Sequence, residues 1–204
     1  MIPSFFLSND PENDLRWAGI QFSYADESGL IEFAHISGAG WDMAEQEAKA
    51  ILISRSSATI RNCLITNCME GANIANPNSG TNQNCAGIWA WWAPEAIIEN
   101  NTIEGNTGTA IWCSGTGTTS ISGNLIQGNT GYGIDANGGV VAFIRNNRIR
   151  ENTWVGILTR NILSIVENNT ISGNTWAVSV PKPAKRLSKG ISLPPTQPMP
   201  VVPE

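Results

Sequence analysis

Tryptophan and polar side chains recur at one spacing in the middle of the chain. One row consists of Trp89, Trp112 and Asp135, spaced 23 residues apart. A second row begins two positions later and includes Trp91, Asn137 and Arg160. Indole faces suit the C–H faces of pyranose rings, while Asp, Asn and Arg can hydrogen-bond hydroxyl groups or a carboxylate. If both rows lie on one surface, these six residues are candidates for carbohydrate binding.

A repeated segment follows the same interval. It reads Ile-Glu-Asn-Asn-Thr-Ile-Glu-Gly-Asn from Ile98 to Asn106. Full variants begin at Ile121, Ile144 and Val166, and weaker ones begin at Ile31 and Ile60. A period of 22 or 23 residues is typical of a solenoid, in which each repeat buries its apolar face only by stacking on its neighbours.

Apolar and polar residues alternate within each repeat, which favours short strands over helices. A repeat of this length holds three strands separated by turns. Because successive repeats run in the same direction, equivalent strands pair in parallel, and parallel crossovers are overwhelmingly right-handed. The sequence therefore predicts an all-β fold, a right-handed parallel β-helix of six to seven coils with three short strands per coil.

Asparagine occupies two positions of the repeat where turns are expected. The two sets are Asn101, Asn124, Asn147 and Asn169, and Asn106, Asn129, Asn152 and Asn174. Asn tolerates left-handed backbone and bonds neighbouring backbone at turns, and stacked amides can form hydrogen-bonded ladders. Cys63 and Cys68 replace Asn at these positions in an earlier repeat. We expect the ladders to be structural rather than a row of ligand-binding amides.

A small residue followed by a β-branched one precedes each copy by about ten residues. The pairs are Gly19-Ile20, Ala50-Ile51, Gly87-Ile88, Ala110-Ile111, Gly133-Ile134, Gly156-Ile157 and Ala177-Val178. All seven begin with Gly or Ala, which predicts a tight corner where a larger side chain would collide with the next coil.

The Ile-x-x-Asn-x-Ile-x-x-Asn coil and the segment Trp17–Phe22 resemble the bacterial right-handed β-helix repeat proteins, within the broader pectin-lyase-like group. The resemblance covers about residues 1 to 180. Its motifs are specific for the fold and weak for function. The group includes polysaccharide lyases, glycoside hydrolases, phage tailspike depolymerases, adhesins and periplasmic accessory proteins.

Two interruptions and a tail break the repeat. Residues 42–49 are good helix formers opened by a capping-box pattern and predict a short helical excursion. The polar, turn-rich segment 69–84 predicts a loop insertion. Residues 181–204 contain too many prolines for a coil and predict a tail or linker after the domain of residues 1–180. Residues 2–7 are too short for the core of a signal peptide, so we expect the chain to be a segment of a longer protein.

The amino-acid composition argues against several classes of binding partner. The formal net charge is −5, which argues against nucleic-acid binding. No apolar run reaches the roughly 18 residues of a membrane span. Charge is sparse, and polar Asn, Gly, Ser and Thr predict a secreted or cell-envelope protein. With no Cys-x-x-Cys pair and His35 as the single histidine, we expect no metal and no cofactor. A Cys68–Cys85 disulfide would close the base of the loop insertion, although the sequence does not settle cysteine connectivity.

Catalysis has little support in the sequence. Glycosidases normally use a pair of carboxylates, and the tryptophan-bearing surface offers only Asp135. Arg160 alone does not make a calcium-dependent lyase site. Carbohydrate recognition is therefore the leading hypothesis, within a polysaccharide-processing protein. A structural or adhesive solenoid that presents loops to protein partners is an alternative, and a lyase-type enzyme is another.

The strand alternation predicts that Trp89 and Trp91 point outward, because Ile88 and Ala90 point into the core. A large exposed apolar patch tends to be functional. The alternative is that the loop insertion folds over the tryptophans and hides them. The sequence alone does not decide between these two interpretations.

Overall fold

The computed structural model describes residues 4–6, 17–24, 28–40, 48–68 and 85–179. Within these residues the chain forms twenty β-strands and no helix. In chain order the strands are β1 (Ser4–Phe6), β2 (Ile20–Ser23), β3 (Gly29–Glu32), β4 (Ala34–Ser37), β5 (Ala48–Ser54), β6 (Ala58–Arg61), β7 (Leu64–Thr66), β8 (Cys85–Trp91), β9 (Glu95–Glu99), β10 (Thr102–Glu104), β11 (Thr109–Ser114), β12 (Thr116–Ser122), β13 (Leu125–Gln127), β14 (Ile134–Ala136), β15 (Gly139–Arg145), β16 (Arg148–Arg150), β17 (Val155–Thr159), β18 (Ile165–Glu167), β19 (Thr170–Ser172) and β20 (Trp176–Ser179).

Every third strand belongs to the same parallel sheet. Sheet 1 has the order β1-β4-β7-β10-β13-β16-β19, sheet 2 the order β2-β5-β8-β11-β14-β17-β20, and sheet 3 the order β3-β6-β9-β12-β15-β18. Each complete coil therefore contributes one strand to each sheet. This arrangement confirms the predicted parallel β-helix, its number of coils and its three strands per coil.

The core is a set of stacked isoleucine columns. In sheet 1, for example, Ile103 pairs with Ile126, and Ile126 pairs with Ile149. All three are fully buried. Removing such side chains from water contributes roughly 2–3 kcal/mol each, so the columns supply the main force that holds successive coils together.

The two asparagine sets form ladders, as predicted. In the first, the Asn101 side-chain amide donates to Asn124 Oδ1 at 3.1 Å, and Asn124 donates to Asn147 Oδ1 at 3.0 Å. The Asn101 backbone N–H also donates to Asn124 Oδ1, at 2.9 Å. The second ladder repeats this pattern from Asn106 to Asn174. All of these asparagines are buried, so each satisfies backbone groups that water does not reach.

The left-handed backbone lies one residue before the ladder asparagine, which corrects the sequence interpretation. Asn100, Asn146 and Asn168 have φ of 56°, 57° and 56°, and Gly123 has φ of 67° at the equivalent place. The ladder asparagines themselves do not have positive φ. Two neighbouring residues therefore have different roles at the corner. The first residue turns the chain, and the second hydrogen-bonds the adjacent coils.

The small residues before the β-branched ones do not lie at a corner as predicted, because most of them belong to the strands of sheet 2, as Gly156 does in β17. They are nevertheless tightly packed against the next coil. A Cβ atom added to Gly133 would lie 2.5 Å from the Gly156 backbone oxygen, and one added to Gly156 would lie 2.7 Å from the Ala177 oxygen. Real Cβ atoms do not approach that closely. The next coil therefore limits the side chain at this position, which confirms the predicted collision.

Outward charged residues pair across coils. Arg61 lies 3.1 Å from Glu32 and 3.9 Å from Glu99, and Arg145 lies 2.6 Å from Glu167. These pairs are partly exposed, and exposed ion pairs contribute from zero to about 1 kcal/mol. They support the register of sheet 3 without forming a site.

The prediction of a helical excursion over residues 42–49 is wrong for the last two residues. Residues 48 and 49 belong to β5, where Ala48 pairs with Cys85 and Lys49 pairs with Ala86. Parallel pairing with the long strand β8 therefore overrides the local helical preference. Residues 42–47, the loop insertion 69–84 and the tail 181–204 lie outside the described residues.

All four cysteines are buried thiols, so the Cys68–Cys85 disulfide is not formed. Cys113 points into the core as predicted, and burial raises its pKa to about 12. Cys63 and Cys68 occupy the ladder corners, where their backbone N–H groups donate to Asn101 Oδ1 and Asn106 Oδ1, each at 3.0 Å. These thiols act as small core side chains.

Candidate functional site

The outer face of sheet 2 carries the predicted site residues in two adjacent columns. In the first column, Trp89 pairs with Trp112, Trp112 with Asp135, and Asp135 with Leu158. The predicted order of the first column is therefore confirmed.

In the second column, Trp91 pairs with Ser114. Asn137 and Arg160 continue the register through backbone hydrogen bonds to Cys113 and Ala136. The second column follows the predicted order as well.

The three tryptophans contact one another. The Trp89 and Trp112 rings stack at a centroid distance of 4.3 Å and an interplanar angle of 8°. The Trp89 and Trp91 rings are tilted by 41° at 6.0 Å. One coil spacing is roughly 4.8 Å, so stacking follows directly from placing two indoles in one column.

Two of these tryptophans are buried although they point away from the core. Trp89 is 7% exposed and Trp112 is 8% exposed. Together with Ala86 they form a second apolar cluster outside the β-helix, against which Leu52 and Trp91 pack. The expectation of an exposed three-tryptophan face is therefore wrong for Trp89 and Trp112, while Trp91 remains half-buried.

A cavity of about 640 Å³ opens on the N-terminal side of this cluster. Its walls come from β2 and β5 with the segments that flank them, and from the two tryptophans of β8. The lining residues that can bind a ligand are Gln21, Ser23, Tyr24, Lys49, Ser54, Trp89 and Trp91. Within the candidate set, only Trp89 and Trp91 line this cavity.

Two cationic side chains lie over aromatic rings beside the cavity. Lys49 Nζ is 4.9 Å from the centre of the Trp89 ring. Arg55 Cζ is 5.3 Å from the Trp91 ring and 5.2 Å from the Tyr24 ring, and Arg55 Nη1 donates to the Tyr24 hydroxyl. Cation–π contacts of this kind contribute about 0.5–1 kcal/mol at exposed positions, so they hold the aromatic walls in place.

Asp135 lies two coils beyond Trp89 in the first column. It is 2% exposed. Burial raises its pKa to about 6, while Arg160 and a hydrogen bond from Asn137 act in the opposite direction. The Asn137 amide donates to Asp135 Oδ2 at 3.4 Å. Burial and the Asp135 charge also raise the pKa of Tyr132. Asp135, Asn137 and Arg160 therefore form one electrostatic group with Tyr132.

Two polar atoms of the first column are buried without a hydrogen-bond partner among the described residues: Trp112 Nε1 and Asp135 Oδ1. The neighbouring Trp89 differs, because its Nε1 donates to Ser114 Oγ at 2.8 Å. Buried unpaired polar atoms are rare in proteins. This pair is therefore a distinctive feature of the face.

The repeat and its tryptophans did not point to the polar residues that line the cavity. Gln21 pairs with Leu52, and Leu52 pairs with Trp89, so both belong to the tryptophan column. The aligned pairs Gly19-Ile20 and Ala50-Ile51 carry the signal that would have found them, because the residue after each isoleucine falls in that column.

Other site types find no support in the part of the chain that the structure describes. It contains no group of three His, Cys, Asp or Glu side chains that could hold a metal ion. It also contains no helix of the length and apolarity that a membrane crossing requires. Asp135 is the one carboxylate in the two columns of the site, so a glycosidase pair is not assembled there.

Comparison with known proteins supports the fold. Residues 86–180 match the family described as right handed beta helix region. Neither the curated proteins nor the solved structures contain a match to the chain. The matched region and the three parallel sheets show that the fold is a right-handed parallel β-helix.

Proposed function

We propose that the cavity on the outer face of sheet 2 binds a carbohydrate chain, and that the protein acts in glycan recognition outside the cell or at its envelope. The observation that carries the proposal is the lining of the cavity. Two indole rings line it together with the hydroxyl and amide side chains of Ser23, Ser54 and Gln21. Sugar rings present apolar C–H faces and polar rims, so they need both surfaces together.

The central contact in this proposal is Trp91. It lines the cavity and is half-buried, so part of its ring remains available to a ligand. Arg55 packs over it and Trp89 lies beside it, which limits its rotation. A ring held in place before binding loses little conformational entropy when a sugar stacks on it.

Burial changes the roles of the other tryptophans. Trp89 contributes an edge to the cavity and supports Trp91, while Trp112 lies behind Trp89 in the outer cluster. Truncation of Trp112 therefore removes packing as well as any ligand contact. For that reason Trp91 is a cleaner test of sugar binding than Trp112.

The test is a glycan array followed by titration calorimetry with the strongest oligosaccharide. Trp91→Ala is expected to weaken binding by on the order of 1–3 kcal/mol, the contribution of one large stacked aromatic contact. The matched control is Trp92→Ala. Trp92 is the adjacent residue, is 46% exposed and does not line the cavity. Its substitution should leave affinity unchanged.

Two results would count against carbohydrate binding. One is an array on which no glycan binds above background. The other is equal loss of affinity in the two tryptophan variants, which would place the ligand elsewhere. Binding of proteins but not glycans would favour a structural or adhesive solenoid instead.

A further inference from the structure

We propose that Tyr24 forms a second sugar-binding subsite at the rim of the cavity, so that the outer face of sheet 2 binds an internal stretch of a glycan chain. The inference deepens the proposed function and rests on it. Tyr24 lines the same cavity as Trp91. It is 66% exposed, which makes it the most accessible aromatic side chain of the lining.

Tyr24 has a backbone conformation that the fold gives to glycine in later coils. It directly follows β2, and its φ is 52°. At the equivalent corner of two later coils the chain has Gly115 and Gly138, with φ of 89° and 70°. A bulky side chain in this left-handed region is strained, and such strain is found mostly at functional sites. Glycine would serve the fold at position 24, so the aromatic ring points to a role in binding.

Two further residues of this corner have positive φ, and their contacts differ. Trp92, with φ of 52°, packs on the next coil, because a Cβ atom added to Gly115 would lie 2.7 Å from its ring. Packing therefore accounts for Trp92. Arg55, with φ of 49°, instead contacts the aromatic lining of the cavity. Its Cζ lies 5.2 Å from the Tyr24 ring and 5.3 Å from the Trp91 ring, and its Nη1 donates to the Tyr24 hydroxyl.

The Tyr24 and Trp91 rings suit different sugars of one chain. They belong to coils that are two steps apart, and one step is roughly 4.8 Å, so a single sugar ring does not cover both. Arg55 lies on the intervening coil and holds the Tyr24 ring in place from one side. The exposed remainder of the ring can stack on the C–H face of a pyranose. A guanidinium also has more N–H donors than the Tyr24 hydroxyl uses, so Arg55 can donate to hydroxyl groups of the chain.

The test compares binding of homologous oligosaccharides by the full chain and its variants. The probes are cello-, xylo-, manno- and galacto-oligosaccharides and oligogalacturonides, each from disaccharide to hexasaccharide. Tyr24→Gly removes the ring from a corner that accepts glycine, and Tyr24→Phe keeps the ring. Trp92→Ala, which removes a neighbouring exposed aromatic side chain, is the control. Titration calorimetry gives the dissociation constants, and thermal unfolding gives the melting temperatures.

We expect the wild type to bind the hexasaccharide of at least one series about tenfold more tightly than the disaccharide, which corresponds to one further aromatic stacking contact. Tyr24→Gly should lose this gain and bind the disaccharide as the wild type does. Its melting temperature should be unchanged or higher, because the backbone strain is removed. Tyr24→Phe and Trp92→Ala should keep the gain.

A folded Tyr24→Gly variant that still prefers the hexasaccharide as strongly as the wild type would overturn the subsite. Wild-type affinity that does not depend on chain length would overturn it too. Both results would leave the proposed function standing, because the disaccharide is still bound and Trp91→Ala still tests the cavity. A lower melting temperature of Tyr24→Gly with equal loss of affinity at every length would assign Tyr24 to the fold and exclude the subsite. Absence of binding in all five series would overturn both the subsite and the proposed function.

Discussion

Asp135 and Trp112 point away from the core and are nevertheless buried. The repeat predicts an outward side chain at both positions, and the structure places them there. The alternation of strands reports only the direction relative to the core, however. It does not show what packs on the outer face of the sheet. The burial of Trp112 and the raised pKa of Asp135 therefore could not be predicted from the sequence.

The raised pKa has a consequence for stability. The ordinary pKa of Asp is about 3.9, and that of folded Asp135 is about 6. The folded protein therefore holds this proton more tightly than the unfolded chain does. Well below pH 4, Asp135 is protonated in both the folded and the unfolded state and does not affect stability. Above about pH 6 the buried charge costs up to about 3 kcal/mol.

Asp135→Asn should consequently be more stable than the wild type at pH 8, and the difference should shrink between about pH 6 and pH 4. Urea unfolding of the two proteins across this range measures it. The quantity compared is the difference in the free energy of unfolding between the two proteins, because other carboxylates titrate in both. A constant difference in the free energy of unfolding from pH 4 to pH 8 would show that the buried charge of Asp135 does not destabilise the folded protein.

The corner between sheets 3 and 1 is the element in which sequence and structure agree most closely. The positions of Asn101, Asn124 and Asn147 were predicted from the repeat, and their amides form the ladder. The role of the preceding residue, which has the positive φ, was not predicted. Pairs such as Asn100-Asn101 and Gly123-Asn124 contain the signal for it, since Gly and Asn are the residues that best tolerate positive φ.

Asn124→Ala tests the ladder in a central coil. The Asn124 amide donates to Ile98 O at 2.9 Å, and its oxygen accepts from the Asn101 backbone N–H at 2.9 Å. Alanine would leave both buried groups unpaired, so we expect a loss of on the order of 3–5 kcal/mol in the free energy of unfolding. Ser120→Ala, at a half-buried outward position of β12, is the control and should cost under about 1 kcal/mol. Equal urea midpoints for the two variants would refute a structural role for the ladder.

At the scale of the whole molecule, one sheet differs from the other two on its outer face. Sheet 3 carries ion pairs across its coils, and sheet 1 carries the polar row of Glu104, Gln127 and Arg150. Sheet 2 carries the stacked tryptophans, the cavity and the buried aspartate. The fold was predictable because stacking imposes one pattern on every coil. The site was only partly predictable, because it consists of departures from that pattern.

The most direct test of this account is a crystal structure with the oligosaccharide that binds most strongly on the array. We expect electron density for a sugar ring against Trp91 in the cavity of sheet 2, with hydrogen bonds to the side chains of Gln21, Ser23 and Ser54. Density for the oligosaccharide on sheet 1 or sheet 3, with the cavity of sheet 2 unoccupied, would contradict it.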